Sequence, residues 1–389
     1  MSYVLSNDNR FYVGMEQTYG TAATITAANR IPAVKLTIQQ QQEKIQRKDK
    51  TGSRTFTGNP SGLRTQTKFG LKTYMSNWGD QGSAPAHGAL FQACLGGAAS
   101  ISNTGTISSA TNAAQITFGS PHGLNPGHAV SSGGEIRFVS AIVDNFTVQL
   151  QAPFTVTPNS GAGTGPTAVY QPAKALSSVT IFDYWSPGTA VHRILSGAAL
   201  DTLTVKVNGD FHEFDFAGQA QDVLDSSSFT TGRSGLSAFP AEPALASFNY
   251  SIIPGHLGQV WLGTIPNRFF TLTSAEMVFD NNLDLRAREF GSILPAAISP
   301  GQRSVTIDFS LYQQDDVATQ ALYQAARQRS PISIMIQLGQ QQGQLFGVYM
   351  KSVVPEVPEF DDSDKRQQWQ FTKCRAQGSG DDEIFVAFG

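Results

Sequence analysis

Charge is what this 389-residue sequence has least of: Asp, Glu, Lys and Arg make up 15% of it, against about 25% in an average soluble domain. Its 27 basic and 30 acidic residues leave a formal net charge of −3, so there is no global basic field to hold nucleic acid phosphates. Two cysteines, Cys94 and Cys374, exclude a disulfide framework and read as lone buried thiols. No apolar run reaches the length of about 18 residues that a membrane span needs. The opening Met1–Asp8 lacks a basic and an apolar region, so no signal peptide is expected. With 37 Gly and 19 Pro, near average usage, collagen-like and wholly disordered chains are also excluded.

The chemistry-bearing motifs are missing as well. Gly161-Ala-Gly163-Thr-Gly165 has neither the lysine nor the following helix of a phosphate loop, and no nucleophile elbow or zinc-protease motif occurs. Of the six histidines, only His122 and His128 are close, across a Pro-Gly turn with no Cys or carboxylate at ligand spacing; they read as turn and surface residues. Asp361-Asp362-Ser363-Asp364 and Asp381-Asp382-Glu383 lack the alternating ligands and central Gly of a calcium loop and read as solvated loop charge. Hence no enzyme, metal or cofactor is expected.

What is present is β-structure, with 31 Gln taking part of the place of charge. Ser304–Leu311 alternates strictly, so Val305, Ile307, Phe309 and Leu311 share one strand face. Leu203–Val207 and Phe211–Phe216 flank Asn208-Gly209-Asp210, whose positive-φ residues suit a hairpin turn. Ser333–Ile336 and Ile384–Phe388 are further short strands. Helices are few. Asp316–Gln328 recurs apolar at helical spacing, with Asp315 as its cap and Ser330-Pro331 as its stop; a shorter helix covers His87–Leu95.

The two helices share text. Ala89-Leu-Phe-Gln-Ala-Cys94 aligns with Ala321-Leu-Tyr-Gln-Ala-Ala326. Gly52-Ser53, Gly62-x-Arg64 and Phe69-x-Leu71 precede the first; Gly291-Ser292, Gly301-x-Arg303 and Phe309-x-Leu311 precede the second. Glu213-Phe214 and Ala220-Gln221 follow the first copy as Gln370-Phe371 and Ala376-Gln377 follow the second. Matches in one order across both halves predict an internal duplication. Each copy carries a polar loop, Arg47–Ser61 and Arg286–Pro300, longer than a compact domain normally tolerates without a use for it.

The first copy is interrupted by a Ser/Thr/Gly/Ala-rich stretch with no counterpart after Ala326. Ala114–Phe118, Glu135–Val139 and Asn145–Leu150 read as strands of a small β module, and the flanks Ala98–Ser109 and Pro158–Thr167 as linkers. The expected organisation is mainly β: residues 1–96 with 172–250 as one β-sandwich or barrel domain, 97–171 as an inserted, outward-facing all-β module, and 251–389 as a second sandwich or barrel, each large domain with one packed helix. Basic residues concentrate in Lys44–Arg54 without interleaved aromatics, so that run suits protein docking rather than nucleic-acid readout.

The segment Val13-Gly14-Met-Glu16-Gln-Thr18-Tyr19-Gly20-Thr21 is similar to the usual start of major tail tube proteins of long, flexible-tailed (siphophage-type) bacteriophages. The order strand, long loop, strand, Pro-preceded helix, strands is similar too, as is Asp284–Gly301. The segment Gln115–Phe118 with Pro121–Gly127 resembles small β modules of phage structural proteins. The resemblance implies a structural, non-catalytic virion subunit whose β domains form stacked rings around a channel. DNA and the tail tape measure protein would occupy that channel transiently, and other tail proteins would be neighbours, with no membrane. Assembly would take place in the host bacterial cytoplasm. Two like halves would let three chains build a pseudo-hexameric ring, a hexamer being the outcome without duplication. Lys48, Asp49, Lys50, Arg54, Arg286, Arg288 and Glu289, in the two long loops, are the candidate ring-to-ring contacts. The alternatives are another virion component, such as a tail-tip ring, and a carbohydrate- or surface-binding β protein.

Overall fold

The computed structural model describes residues 3–42, 49–56, 58, 63–78, 83–103, 105–244, 250–363 and 365–389. The chain is mainly β. Its first part forms β1 (Asn9–Met15), β2 (Arg30–Ile31), β3 (Ala33–Gln42), β4 (Thr65–Tyr74), helix α1 (Gly88–Leu95) and β5 (Ser100–Ser102). A module follows with β6 (Ile107–Asn112), β7 (Gln115–Phe118), β8 (Ala129–Ser132), β9 (Glu135–Ile142) and β10 (Thr147–Leu150). The chain returns through β11 (Thr167–Tyr170), β12 (Val179–Trp185), β13 (Arg193–Val207), β14 (Glu213–Ala220) and β15 (Asp222–Asp225). The second part holds β16 (Gly258–Gly263), β17 (Asn267–Arg268), β18 (Leu272–Asp280), β19 (Asp284–Leu285), β20 (Ile298–Ser299) and β21 (Ser304–Tyr312). It ends with α2 (Val317–Gln328), β22 (Ile332–Leu338), β23 (Phe346–Val354), β24 (Glu359–Asp361), β25 (Gln368–Ala376) and β26 (Phe385–Phe388).

One antiparallel sheet runs through both parts in the order β3–β4–β14–β13–β18–β21–β25–β24. Alternation dictates its two faces. Val305, Ile307, Phe309 and Leu311 are all buried, with Asp308 exposed between them. Phe69, Leu71, Phe214, Phe216, Leu203, Val205, Met277 and Phe279 continue the apolar face. The helices pack on this side. Phe91 of α1 meets Phe214, Phe216, Phe346 and Phe388 with ring centroids 5.1–5.5 Å apart, so one aromatic cluster joins both parts of the chain.

The two parts follow one pairing plan. The first pairs β2–β1–β12–β13–β15 and β13–β14–β4–β3. The second pairs β17–β16–β22–β23–β26 and β23–β25–β21–β18. Even the register shift recurs, between Ala33 and Lys35 in β3 and between Leu272 and Ser274 in β18. Ala89–Cys94 lies in α1 and Ala321–Ala326 in α2, at the same place in that plan. The plans differ at one point. β13 is unbroken for 15 residues, whereas the corresponding run from β23 to β24 is interrupted by Pro355 and Pro358, which donate no ladder hydrogen bond.

Several expectations need correction. The cap of α2 is Asp316, not Asp315: its carboxylate accepts from the Thr319 N–H and Oγ1, each at 2.8 Å. The stretches flanking the module are not simple linkers, because β5 and β11 pair with each other and β11 pairs with β26 of the second part. His122 is buried, its ring nitrogens 2.9 Å from the Asp144 carbonyl and 2.8 Å from the Leu124 N–H. The module is a five-stranded sheet, β6–β7–β10–β9–β8, around Ile107, Ile116, Phe118, Val139 and Val148.

Each part also has an outward row of large residues needing cover. In the first, Tyr12, Phe182, Ile194 and Leu224 stand abreast on adjacent strands. The segment after β15 covers them with Phe229, Leu236 and Phe239. Glu242 fastens its end, accepting from Arg10 Nη2 at 2.7 Å and from the Tyr12 hydroxyl at 3.0 Å. In the second part the module supplies the cover.

The Val13–Thr21 segment owes its character to Glu16, which is 7% exposed. Its two oxygens accept from Gly20 N (2.9 Å), Ser178 Oγ (2.6 Å), Thr180 Oγ1 (2.7 Å) and Gly197 N (2.8 Å). Gly20 and Gly197 both have positive φ, so the carboxylate holds two turns that a Cβ would strain. Glu16→Ala leaves four donors without their acceptor and is expected to cost about 3 kcal/mol or more in urea unfolding, with Glu16→Gln less damaging.

A second expectation concerns pH. Burial pushes the Glu242 carboxyl up, but the hydrogen bonds from Arg10 and Tyr12 and the Arg10 charge outweigh it, holding it below its ordinary 4.5. A depressed carboxyl stabilises fully above its unfolded value and loses that contribution as pH falls through the folded one. Protection of residues 226–242 in hydrogen exchange is therefore expected to decline only below pH 4.5, and to be weaker at pH 7 in Glu242→Gln.

Candidate assembly edges

The through-running sheet ends in two strands that, among the described residues, take no partner on their outer side: β3 and β24. A free edge presents unpaired N–H and C=O groups and is a template for another strand. β3 is long and polar, with Lys35, Thr37, Gln39 and Gln41 on one face and Leu36 and Ile38 on the other. β24 is short and acidic. Asp361 accepts from Ser363 N at 3.0 Å and Gln370 Nε2 at 3.1 Å, and the Ser363 hydrogen bonds hold its carboxyl below the ordinary value. Phe360 leans on Tyr323 and Trp369 yet remains 54% exposed.

The joint between the two parts shows how such edges fit. β13 and β18 pair over six residues, with Val205 opposite Met277 and Lys206 opposite Glu276. The Lys206–Glu276 ion pair spans 3.5 Å. In the shared plan β24 stands where the C-terminal half of β13 stands. Lys206 pairs with Glu213 as Asp361 pairs with Gln368, and Val205 with Phe214 as Phe360 with Trp369, so in this register Glu213-Phe214 answers to Gln368-Trp369, two residues before the Gln370-Phe371 of the sequence match. The recurrent register shift places β3 where β18 stands, with Ile38 in the position of Met277 and Thr37 in that of Glu276.

The polar face of this sheet mixes signs. Lys72 Nζ lies 2.5 Å from Glu213, which raises the pKa of the lysine. Asp215 beside it is pushed up by burial, with Lys72 opposing. Lys373 N–H donates to Asp308 at 2.6 Å. A depression of about 270 Å³ on this face is lined by Lys35, Thr37, Gly70, Lys72, Thr204 and Asp215.

The candidate loop residues divide. Lys48 lies outside the described residues; Asp49, Lys50 and Arg54 are exposed in a turn held by Thr51 and Ser53. Arg286 and Glu289 form an ion pair, and the exposed Arg288 offers its carbonyl, as Glu289 does, to Arg64 Nη2 at 3.3 Å. The Thr65 N–H donates to the Ile293 carbonyl at 3.0 Å. The second loop is thus moored at the root of the first, and it presents a fully exposed Phe290. Neither edge was singled out by sequence reasoning. The signals were the Gln39–Gln42 run, at one edge, and Pro355 and Pro358 ahead of an acidic cluster, at the other.

Among the described residues, no group of His, Cys, Asp or Glu could hold a metal, and Cys94 and Cys374 are free and buried. No helix is long and apolar enough to cross a membrane among those residues. Compared with known proteins, residues 6–386 match a family model described as phage tail tube protein. No curated protein matches the chain.

Proposed function

Because this chain belongs to the phage tail tube protein family and is thus a structural component of a virion tail, we propose that its copies close into rings through β24 and β3. The observation that carries this reading is the internal β13–β18 joint, a working example of the same edge match within one chain. Repeating it between copies sets Phe360 opposite Ile38 and Asp361 opposite Thr37 of the next copy, with Lys35 diagonally placed toward the carboxylate. Strand addition of this kind hides both edges. The contact is heterologous, so it generates a closed ring when the rotation fits. With two parts of one pairing plan per chain, taken as the domains 1–96 with 172–250 and 251–389, three copies present six like units.

The sheet's polar face then lines a channel. Lys72 is paired with Glu213 and Lys206 with Glu276, and Asp215 adds a further carboxylate, so the face offers no continuous basic stripe to hold DNA phosphates by releasing their counterions. Such a wall lets DNA and the tape measure protein pass without holding either. Rings stack through the two long loops, with Arg288 and Phe290 projecting from one and Lys50 and Arg54 from the other. Assembly takes place in the host bacterial cytoplasm, and the mature subunit resides in the tail.

An Ile38→Cys/Phe360→Cys double variant tests the edge match, since both native thiols are buried. Mild oxidation of assembled protein is expected to give a covalent ladder ending at three chains, and class averages in electron microscopy three-fold rings with six lobes. A ladder ending at six chains would replace the trimer by a hexamer. Tubes without any cross-link would show that other surfaces close the ring.

A further inference from the structure

We propose that the inserted module is an internal brace, one that completes the second part of the chain and makes it competent to assemble, rather than an appendage carried on the first. The module leaves the chain after α1, in the first part, yet it seats on the second. Two rows of the second part's outward face receive it: Gln259–Gln337–Gly347–Ala387 and Trp261–Met335–Tyr349–Phe385. Ala129, Ile136, Phe138 and Ala152 of the module form one buried cluster with Trp261, Met335, Tyr349 and Phe385. Phe138 stacks on Tyr349 at 5.4 Å.

The polar contacts are as specific as the apolar ones. Arg137 is completely buried. It donates to the carbonyls of Ile136 and Pro153, to Gln337 Oε1 at 3.0 Å and to Gln259 Oε1 at 2.9 Å, and it pairs with Glu135 at 2.7 Å. Its guanidinium lies over the Trp261 ring at 5.1 Å. Gln337 also accepts from Ile136 N–H and donates to the Gly134 carbonyl. A buried charge with this many partners stays only while every partner stays. Gly347 admits the module, since a Cβ there would sit 2.9 Å from the Phe138 ring. The stalk is part of the brace, because β11 extends the second part's outer sheet at β26.

The first part supplies an independent argument. Its equivalent outward row, Tyr12–Phe182–Ile194–Leu224, has no module and is covered by Phe229, Leu236 and Phe239 of the following segment. Both outward rows need an apolar lid; the chain provides two different ones. Without its lid the second part would expose Trp261, Met335, Tyr349 and Phe385 together, a patch of the kind that drives association.

The folding claim stands alone; the assembly claim rests on the tube reading above. Gln337→Ala removes the shared amide and Gly347→Val wedges Phe138 outward, while Val143→Ser with Phe146→Ser alters only the module's exposed tip. Hydrogen exchange on the full chain is expected to speed up tenfold or more at Met335, Tyr349 and Phe385 in the first two variants, with ring yield lost, and to match the parent in the third. Exchange that rises at Ile136 and Phe138 alone, with rings intact, would overturn the proposal, and so would unchanged exchange in both docking variants. A parent protein that forms no rings would sink the tube reading instead and leave the exchange result to decide the brace.

Discussion

Everything in this fold hangs on β13. Its N-terminal half lies between β12 and β15 in an outer sheet, and its C-terminal half between β14 and β18 in the sheet that spans the chain. One 15-residue strand therefore fixes the relation of two layers and of two parts of the chain. Sequence meets that demand with small and apolar residues, Ser196 apart, in the half that is buried on both faces, Ile194 to Leu200, and with alternation in the half that has a polar side. Phe91 and its ring of phenylalanines sit where the layers meet, so the packing that stabilises either part stabilises the joint as well.

The outer layer carries a different constraint. A sheet facing outward with aromatic residues has to be covered, and antiparallel strands with two short α-helices, as in the described residues, leave little to cover it with. A connecting segment meets the need once and a foreign-looking module meets it the second time. A module that buries Arg137 and shields Trp261 is held in place by packing and hydrogen bonds as well as by the strands at its ends.

Much of this was legible in the sequence and some was not, for physical reasons. Ser304–Tyr312 and α2 announce themselves because their patterns are local: a period of two, and a period near 3.6 between an acidic start and a Ser-Pro stop. The cap fell one residue away from the expectation because Asp315 and Asp316 are chemically alike and only backbone geometry chooses between them. β5 was missed as a strand because its partner β11 follows only after the whole module, and the start of β11 because its further partner β26 lies more than two hundred residues on in the chain, beyond any local pattern. The same limit hid the two unpaired edges. Whether a strand is an edge is a property of what pairs with it, and no residue of β3 or β24 states that by itself. His122 was read from its turn and not from the ring contact with Phe118 that buries it.

Pro355 and Pro358 carry a mechanical consequence. Inside the chain the joint between the two parts spans six paired residues, whereas the exposed edge at β24 is only three residues long. In the three-chain ring proposed above, every second seam would then be the shorter one. Twisting or internal pressure would concentrate strain at the boundaries between chains, and a loaded cylinder would split lengthwise there while each polypeptide survived whole. A wall built that way would yield like a barrel made of staves, its weakest lines set by two prolines.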